Sequence, residues 1–109
     1  MLNKRQREVL RSKLTLAIYL IGVARGNYYA SNPKAGVTST DVDNAYMEKE
    51  EVLSLVKELI KAETNNAVSD VEAFKYLGLD YDRDYIEYVV FVEEMIIKRH
   101  EAVEEDIPF

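Results

Sequence analysis

Residues 2–24 have the sequence LNKRQREVLRSKLTLAIYLIGVA, in which apolar residues recur every three or four positions. This spacing places them on one side of an α-helix, so it predicts a long first helix that begins near Asn3 and ends near Gly26. The predicted stripe consists of Leu2, Val9, Leu10, Leu14, Ala17, Ile18 and Ile21. Residues 14–24 are apolar on every side, as expected for a helix at the centre of a bundle.

A second helix is predicted after the loop at residues 32–36, which is the segment richest in helix-breaking residues. Thr38 and Thr40 are each followed three residues later by Asp, a pattern typical of a helix N-terminus. Apolar residues then trace one face of this helix: Val42, Tyr46, Val52, Leu53, Val56, Leu59 and Ile60. We expect Asn65 and Asn66 to end it.

Two more helices complete the predicted fold. Ser69, followed three residues later by Glu72, predicts the start of a short helix that Gly78 closes in the left-handed conformation. The last helix should begin within residues 80–84. Its predicted apolar stripe consists of Ile86, Val89, Val90, Ile96, Ile97 and Val103, with Tyr85, Tyr88, Phe91 and Met95 at its edges. The chain therefore predicts an all-α small helical bundle of three long helices and one short helix.

Length and composition limit the remaining choices. The chain has 109 residues and no cysteine, which excludes disulfides, thiolate zinc sites and a cysteine nucleophile. One domain is expected, with residues 1–103 in the bundle and residues 104–109 as a flexible acidic tail. The basic start and the apolar run 14–24 are similar to an export signal. That run is too short to span a bilayer and continues the helical spacing before it, so we predict a cytoplasmic protein without a membrane partner.

Charge is distributed unevenly along the chain. Residues 1–34 carry seven basic residues and one acidic residue, a net charge of +6, whereas residues 35–109 carry seven basic and nineteen acidic residues, a net charge of −12. Lys4, Arg7 and Arg11 recur at helical spacing on the first helix. We expect this basic face to contact either the acidic tail or the phosphates of a nucleic acid, and the nucleic acid is the less favoured partner.

The sequence ends in Glu104, Glu105, Asp106, Ile107, Pro108 and Phe109, whose chemistry suits a docking peptide. The ring of Phe109 can enter an apolar pocket, and its α-carboxylate can accept a bidentate arginine beside that pocket. Pro108 restricts the backbone, and Ile107 adds a second apolar contact. The three acids would steer the peptide toward a basic rim and make binding sensitive to salt.

These six residues resemble the acidic tip of bacterial single-stranded-DNA-binding proteins, which also ends in an apolar residue followed by Pro-Phe. In that family the tip recruits enzymes of replication, recombination and repair. The resemblance implies that the partner is a host protein of DNA metabolism and that residues 104–109 bind it. The resemblance is confined to these six residues, because the helical pattern upstream differs from the β-barrel that binds DNA in that family.

Pairs of carboxylates on helices raise the hypothesis of a magnesium enzyme. Glu48 with Glu51, and Glu101 with Glu104, have the spacing found in all-helical nucleotide pyrophosphatases. Acids are so frequent in this chain that such pairs arise readily, and a solvated helix face is the favoured interpretation. A magnesium-dependent pyrophosphatase is therefore the least favoured function.

A second metal hypothesis concerns Asp80, Asp82 and Asp84, which match the first three ligands of a calcium-binding EF-hand loop. The glycine and the bidentate glutamate that such a loop requires are missing, because Tyr85 and Phe91 occupy their positions. The favoured interpretation is that these acids interact with the dipole at the start of the last helix. We expect no metal ligand set, no catalytic residue and no cofactor.

The sequence thus predicts a non-enzymatic adaptor or inhibitor that binds its partner through the tail. Its small size and its isolated tail motif favour an origin in a phage or a mobile element. An alternative is an acidic mimic of DNA that occupies a nuclease or a helicase, because acids recur along the helices from residue 35 onward. The apolar surface of residues 14–24 exceeds what four helices of this size cover, which favours a homodimer.

Overall fold

The computed structural model describes residues 2–30 and 39–105, which form four α-helices. They are α1 (Lys4–Tyr29), α2 (Ser39–Thr64), α3 (Asp70–Tyr76) and α4 (Tyr88–Glu105), and a π-helical segment, Asp82–Glu87, leads directly into α4. No strand occurs in the described ranges, so the all-α prediction of three long helices and one short one is confirmed. The predicted tail lies outside the described residues, apart from the backbone of Glu104 and Glu105.

Helix α1 begins where the sequence predicts and extends further than expected. The Asn3 side chain accepts a hydrogen bond from the Gln6 backbone N–H at 2.8 Å, and the Gln6 side chain accepts one from the Asn3 N–H at 2.9 Å. This reciprocal cap fixes the first turn. The expected end near Gly26 is wrong, since the helix continues through Gly26 to Tyr29.

The predicted breaks between the later helices are confirmed. Asn65 follows α2 and adopts a left-handed conformation with φ of 63°. Ser69 caps α3 by accepting a hydrogen bond from the Glu72 backbone N–H. Gly78 closes α3 with φ of 80°, and the Leu79 N–H reaches back to the Phe74 carbonyl at 2.9 Å. This is the Schellman arrangement, in which glycine avoids the steric cost of a left-handed residue.

The core lies where α1 meets the other elements. Phe74 of α3 is fully buried, and its ring contacts the rings of Tyr81 and Tyr85 at centroid distances of 5.2 and 5.8 Å. Around it pack the buried residues Leu14, Ile18, Ile21, Ala45, Val52, Leu53, Val56, Ala73, Leu77 and Val89. Of the residues predicted at the edges of the last helix, Tyr85 and Tyr88 pack against the core, whereas Phe91 and Met95 are largely exposed.

Helices α1 and α4 run parallel and approach each other closely at two glycines. A Cβ atom at Gly22 would lie 2.7 Å from Val92 Cβ, and one at Gly26 would lie 2.6 Å from Ile96 Cβ. These distances are shorter than real carbon contacts, so only glycine permits this packing. Gly22 and Gly26 therefore allow the close approach of α1 and α4.

Two predictions about buried faces are wrong. Residues 14–24 are not buried on every side, because Leu16 is 54% exposed and Leu20 is 40% exposed. In the last helix Ile86 and Val90 are largely exposed, whereas Val92, outside the predicted stripe, is buried. Ile86 lies within the π-helical segment Asp82–Glu87, whose turns hold more residues than α-helical turns, so a regular period misplaces it relative to Val89.

Candidate binding surfaces

The basic residues predicted on α1 line a cavity at the N-terminal end of the bundle. Lys4, Arg7 and Arg11 surround it together with Lys75, at the end of α3. The cavity has a volume of about 280 Å³, and Glu8, Tyr76, Leu77 and Gly78 complete its lining. Four cations and one acid therefore face a space that is large enough for a phosphate or a carboxylate group.

Contacts to α3 hold two of these arginines at the cavity. The Arg7 guanidinium lies over the Tyr76 ring, 5.7 Å from its centroid, which is within the range of a cation–π interaction. A Cβ atom at Gly78 would lie 3.6 Å from Arg11 Nη1, so the second arginine packs against the turn that closes α3. The cavity thus combines an aromatic wall with planar, bidentate donors, a composition suited to anionic groups.

The predicted contact between this basic face and the tail involves residues outside those that the structure describes, so it stays a prediction.

A second polar cluster surrounds Lys49, which is only 7% exposed. Its Nζ donates a hydrogen bond to the Tyr85 hydroxyl at 3.1 Å and lies 3.3 Å from a carboxylate oxygen of Glu50. The same ammonium lies 4.6 Å from the centroid of the Tyr85 ring and 5.4 Å from that of Tyr46. Burial lowers the pKa of Lys49, but the Tyr85 and Glu50 interactions outweigh it and leave the pKa above its ordinary value.

The cluster continues to α1 through Arg25. Its Nη1 donates to the Tyr46 hydroxyl at 3.2 Å, and its Nε donates to a Glu93 carboxylate oxygen at 3.1 Å. Both hydrogen bonds, with the Tyr46 contribution the larger, raise the pKa of Arg25 above its ordinary value. Arg25, Tyr46 and Glu93 thus connect α1, α2 and α4, and we interpret the cluster as a structural link between these helices.

Sequence reasoning missed Lys49, although a signal for it was present. Position 49 lies three residues after Tyr46 and three before Val52, and both of these belong to the predicted stripe of α2. Helical spacing therefore places its side chain toward the core. The burial of Lys49 was not predicted because lysine is rarely buried without partners. Its main partner, Tyr85, lies far from it in the sequence.

Replacing Lys49 separates the packing of its alkyl chain from its charge. We expect Lys49→Ala to lower the free energy of unfolding by about 2 to 3 kcal/mol, because it leaves a void beside Tyr85. Lys49→Met keeps most of the packed carbon chain, and we expect it to cost no more than about 1 kcal/mol. Denaturant unfolding followed by circular dichroism measures both, and equal losses in the two variants would contradict this account.

The charge of Lys49 also predicts how stability depends on pH. Its folded-state pKa lies above the ordinary 10.5, so its stabilising contribution is fully present below pH 10.5 and is lost as the pH rises through the folded-state value. The intact chain should therefore lose stability relative to Lys49→Met only at alkaline pH. If the difference in stability between the intact chain and Lys49→Met already changed near neutral pH, the raised pKa of Lys49 would be contradicted.

The structure also places the carboxylates considered as metal ligands. Asp80 accepts a hydrogen bond from the Arg83 N–H at 2.8 Å, and Asp84 accepts one from the Asp80 N–H at 2.7 Å. These two acids therefore cap the start of the last helix. Glu48 and Glu51 are exposed on α2. Within residues 2–30 and 39–105, no three histidine, cysteine or acidic residues converge as they would around a metal ion.

Comparisons with protein-family models, with curated proteins and with solved structures found no match to this chain. Among the helices that the structure describes, none combines the length and the apolar composition needed to cross a bilayer. The function must therefore be inferred from the residues themselves.

Proposed function

We propose that this protein is a non-enzymatic adaptor or inhibitor that docks on a host protein of DNA replication, recombination or repair. The observation that carries the proposal is the sequence of residues 104–109, in which three acids precede Ile107, Pro108 and Phe109. This order offers an apolar anchor, a restricted backbone and an acidic approach to a basic rim. The similarity to the tip of single-stranded-DNA-binding proteins indicates the class of partner, a protein of DNA metabolism.

The packing of α4 supports the presentation of this segment to a partner. Ile96 lies at the level of Gly26, after which α1 continues for only three residues and α4 for nine. The last turns of α4 therefore project roughly 9 Å past the end of α1.

The mechanism that we propose is competition for a pocket. Phe109 and the acids before it would occupy the site that a host protein uses for the tail of its own single-stranded-DNA-binding protein. If the helical body binds a second molecule, the tail recruits the host enzyme to that molecule. If the body binds nothing further, occupancy of the pocket inhibits the enzyme.

The first test is a pull-down from a host lysate with three baits. The intact chain should capture a set of replication or repair enzymes, and a chain that lacks Ile107, Pro108 and Phe109 should lose them. The matched control exchanges the outer two residues, Ile107→Phe with Phe109→Ile, and so keeps composition and charge while it alters the order of the motif. Capture of the same proteins by all three baits would refute the proposal.

Exposed acids on α2 support the alternative function as a DNA mimic. The acidic residues Asp43, Glu48, Glu50, Glu51, Glu58 and Glu63 are all exposed along this helix. They would face a basic channel in a nuclease or a helicase. A mimic should keep its partner when Phe109 is replaced and should lose it when several α2 acids are changed to their amides.

A further inference from the structure

Two cavities meet along one edge of α1 and share the side chain of Arg11. The first is the basic cavity at the N-terminal end of the bundle. The second has a volume of about 390 Å³ and lies between α1 and the start of α4. Together they form a groove that follows α1 from Lys4 to Tyr19.

The cations of this groove have no acidic partner in the part of the chain that the structure describes. None of the salt bridges there involves Lys4, Arg7, Arg11 or Lys75, and all four residues are exposed. Lys4, Arg7 and Arg11 follow one another at three- and four-residue spacing, so they are about 5 Å apart along the helix axis. Such a row of unpaired cations suits successive phosphate groups.

The two arginines are held in place without being neutralised. The Tyr76 ring restrains the Arg7 guanidinium through the cation–π contact, which pairs it with no carboxylate. Arg11 packs against the turn at Gly78, so its Nη1 lies where the two cavities join. Both guanidinium groups therefore keep planar N–H donors available for the oxygens of a phosphate.

The second cavity adds an aromatic surface beside these cations. Tyr19, which is 40% exposed, and Tyr88 line it together with Leu16, and the hydroxyl-bearing residues Ser12 and Thr15 complete that side. Aromatic rings stack on nucleobases of any sequence, because every base has a π face. The groove thus places a surface for a base next to a site for phosphate.

The charge of the groove differs from that of the whole chain. Among the described residues that line the two cavities there are four cations and one acid, Glu8, which gives a net charge of +3. Glu72 and Glu87 belong to neither lining, and Asp84 already accepts a hydrogen bond from the Asp80 N–H. Because the chain as a whole carries −6, attraction of a polyanion is confined to this groove.

We propose that this groove binds a single-stranded nucleic acid, with phosphates on Arg7 and Arg11 and a base against Tyr19. A single strand is required, since the bases of a duplex have their faces covered in the helical stack. The strand would be the second molecule to which the tail recruits a host enzyme. The groove is separate from residues 104–109, so strand binding and tail docking succeed or fail independently.

Replacement of single arginines tests the phosphate contacts. Fluorescence anisotropy measures binding of the intact chain to a labelled oligothymidine of about 12 nucleotides. Arg7→Gln and Arg11→Gln should each raise the dissociation constant at least roughly fivefold. Each should also reduce the slope of log affinity against log salt by about 0.7, because one phosphate contact is lost.

Arg99→Gln provides the matched control. It removes the same charge from an exposed position on α4, beyond the level at which Ile96 packs against Gly26 and thus at the other end of the bundle. Its dissociation constant and its salt slope should equal those of the intact chain. A loss as large as that of Arg11→Gln would reduce the binding to general charge attraction and overturn the proposal.

Replacement of Tyr19 tests the aromatic surface. Tyr19→Ala should weaken binding roughly tenfold, whereas Tyr19→Phe should bind as the intact chain does, because a phenyl ring also stacks on a base. Circular dichroism confirms that both variants fold. Equal affinities of Tyr19→Ala and the intact chain would contradict the placement of a base in the second cavity.

Competition for the labelled strand identifies the ligand. An unlabelled single strand should displace it at a far lower concentration than a duplex of the same sequence or a free nucleoside monophosphate. Displacement by the monophosphate at the same concentration would assign the groove to free nucleotides and overturn the proposal. A chain that lacks residues 107–109 should bind the strand at least as tightly as the intact chain. Absence of strand binding at low salt would overturn the proposal, and binding of the peptide Glu-Glu-Asp-Ile-Pro-Phe in that case would assign the groove to the acidic tail.

Discussion

Gly26→Ala should destabilise the fold, although alanine normally stabilises a helix by about 1 kcal/mol relative to glycine. The added Cβ would lie 2.6 Å from Ile96 Cβ and 2.8 Å from the Glu93 carbonyl oxygen. The carbonyl belongs to the backbone of α4, so no change of side-chain rotamer removes the clash. We expect a net loss of about 2 kcal/mol, which lowers the melting temperature by roughly 10 °C.

Ser12→Ala provides the control for this measurement. Ser12 is exposed within the same helix, so the substitution tests helix propensity without a clash, and its effect should lie within about 0.5 kcal/mol. Thermal unfolding of the three chains under identical conditions gives the comparison. Equal or higher stability of Gly26→Ala would show that α1 and α4 do not pack as closely as described.

Phe109→Ala should weaken binding to a captured host partner roughly hundredfold, because a buried aromatic anchor supplies a large share of the affinity of a short peptide. Asp106→Asn should have a smaller effect that decreases as salt is added, since an exposed charge acts through screened electrostatics. Isothermal titration calorimetry at two salt concentrations separates the effect of Phe109→Ala from that of Asp106→Asn. The proposal predicts a loss that is nearly independent of salt for Phe109→Ala.

A chain extended beyond Phe109 provides the control for the role of its carboxylate. Two added glycine residues keep the ring and move the terminal charge away from it. If an arginine beside the pocket binds the carboxylate of Phe109, the extended chain should bind at least roughly tenfold more weakly than the original. Unchanged affinity for both the extended chain and Phe109→Ala would exclude the tail as the binding segment.

The sequence predicted the features that depend on local interactions. The end of α2 at Asn65, the cap at Ser69 and the left-handed turn at Gly78 each depend on a few neighbouring residues. The local sequence was therefore sufficient to predict them. The apolar period also predicted the number and type of the helices. For the same reason the spacing of Lys4, Arg7 and Arg11 correctly predicted one shared face of α1.

Features that depend on contacts between distant residues could not be predicted. The low helix propensity of glycine suggested that α1 ends near Gly26. The helix instead continues to Tyr29, and Gly26 packs closely against α4. The π-helical segment Asp82–Glu87 changes the face on which Ile86 lies, which a regular period cannot anticipate. Lys75 lines the basic cavity because α3 packs against the start of α1, which the local sequence does not show.

The most direct test of the proposed function is displacement by the tail sequence itself. The intact chain is immobilised with its captured host partner, and a synthetic peptide of sequence Glu-Glu-Asp-Ile-Pro-Phe is added in increasing amounts. We predict that this peptide releases the partner, whereas a peptide with the same residues in scrambled order does not. Retention of the partner at saturating concentrations of the first peptide would contradict the claim that residues 104–109 dock this protein on its target.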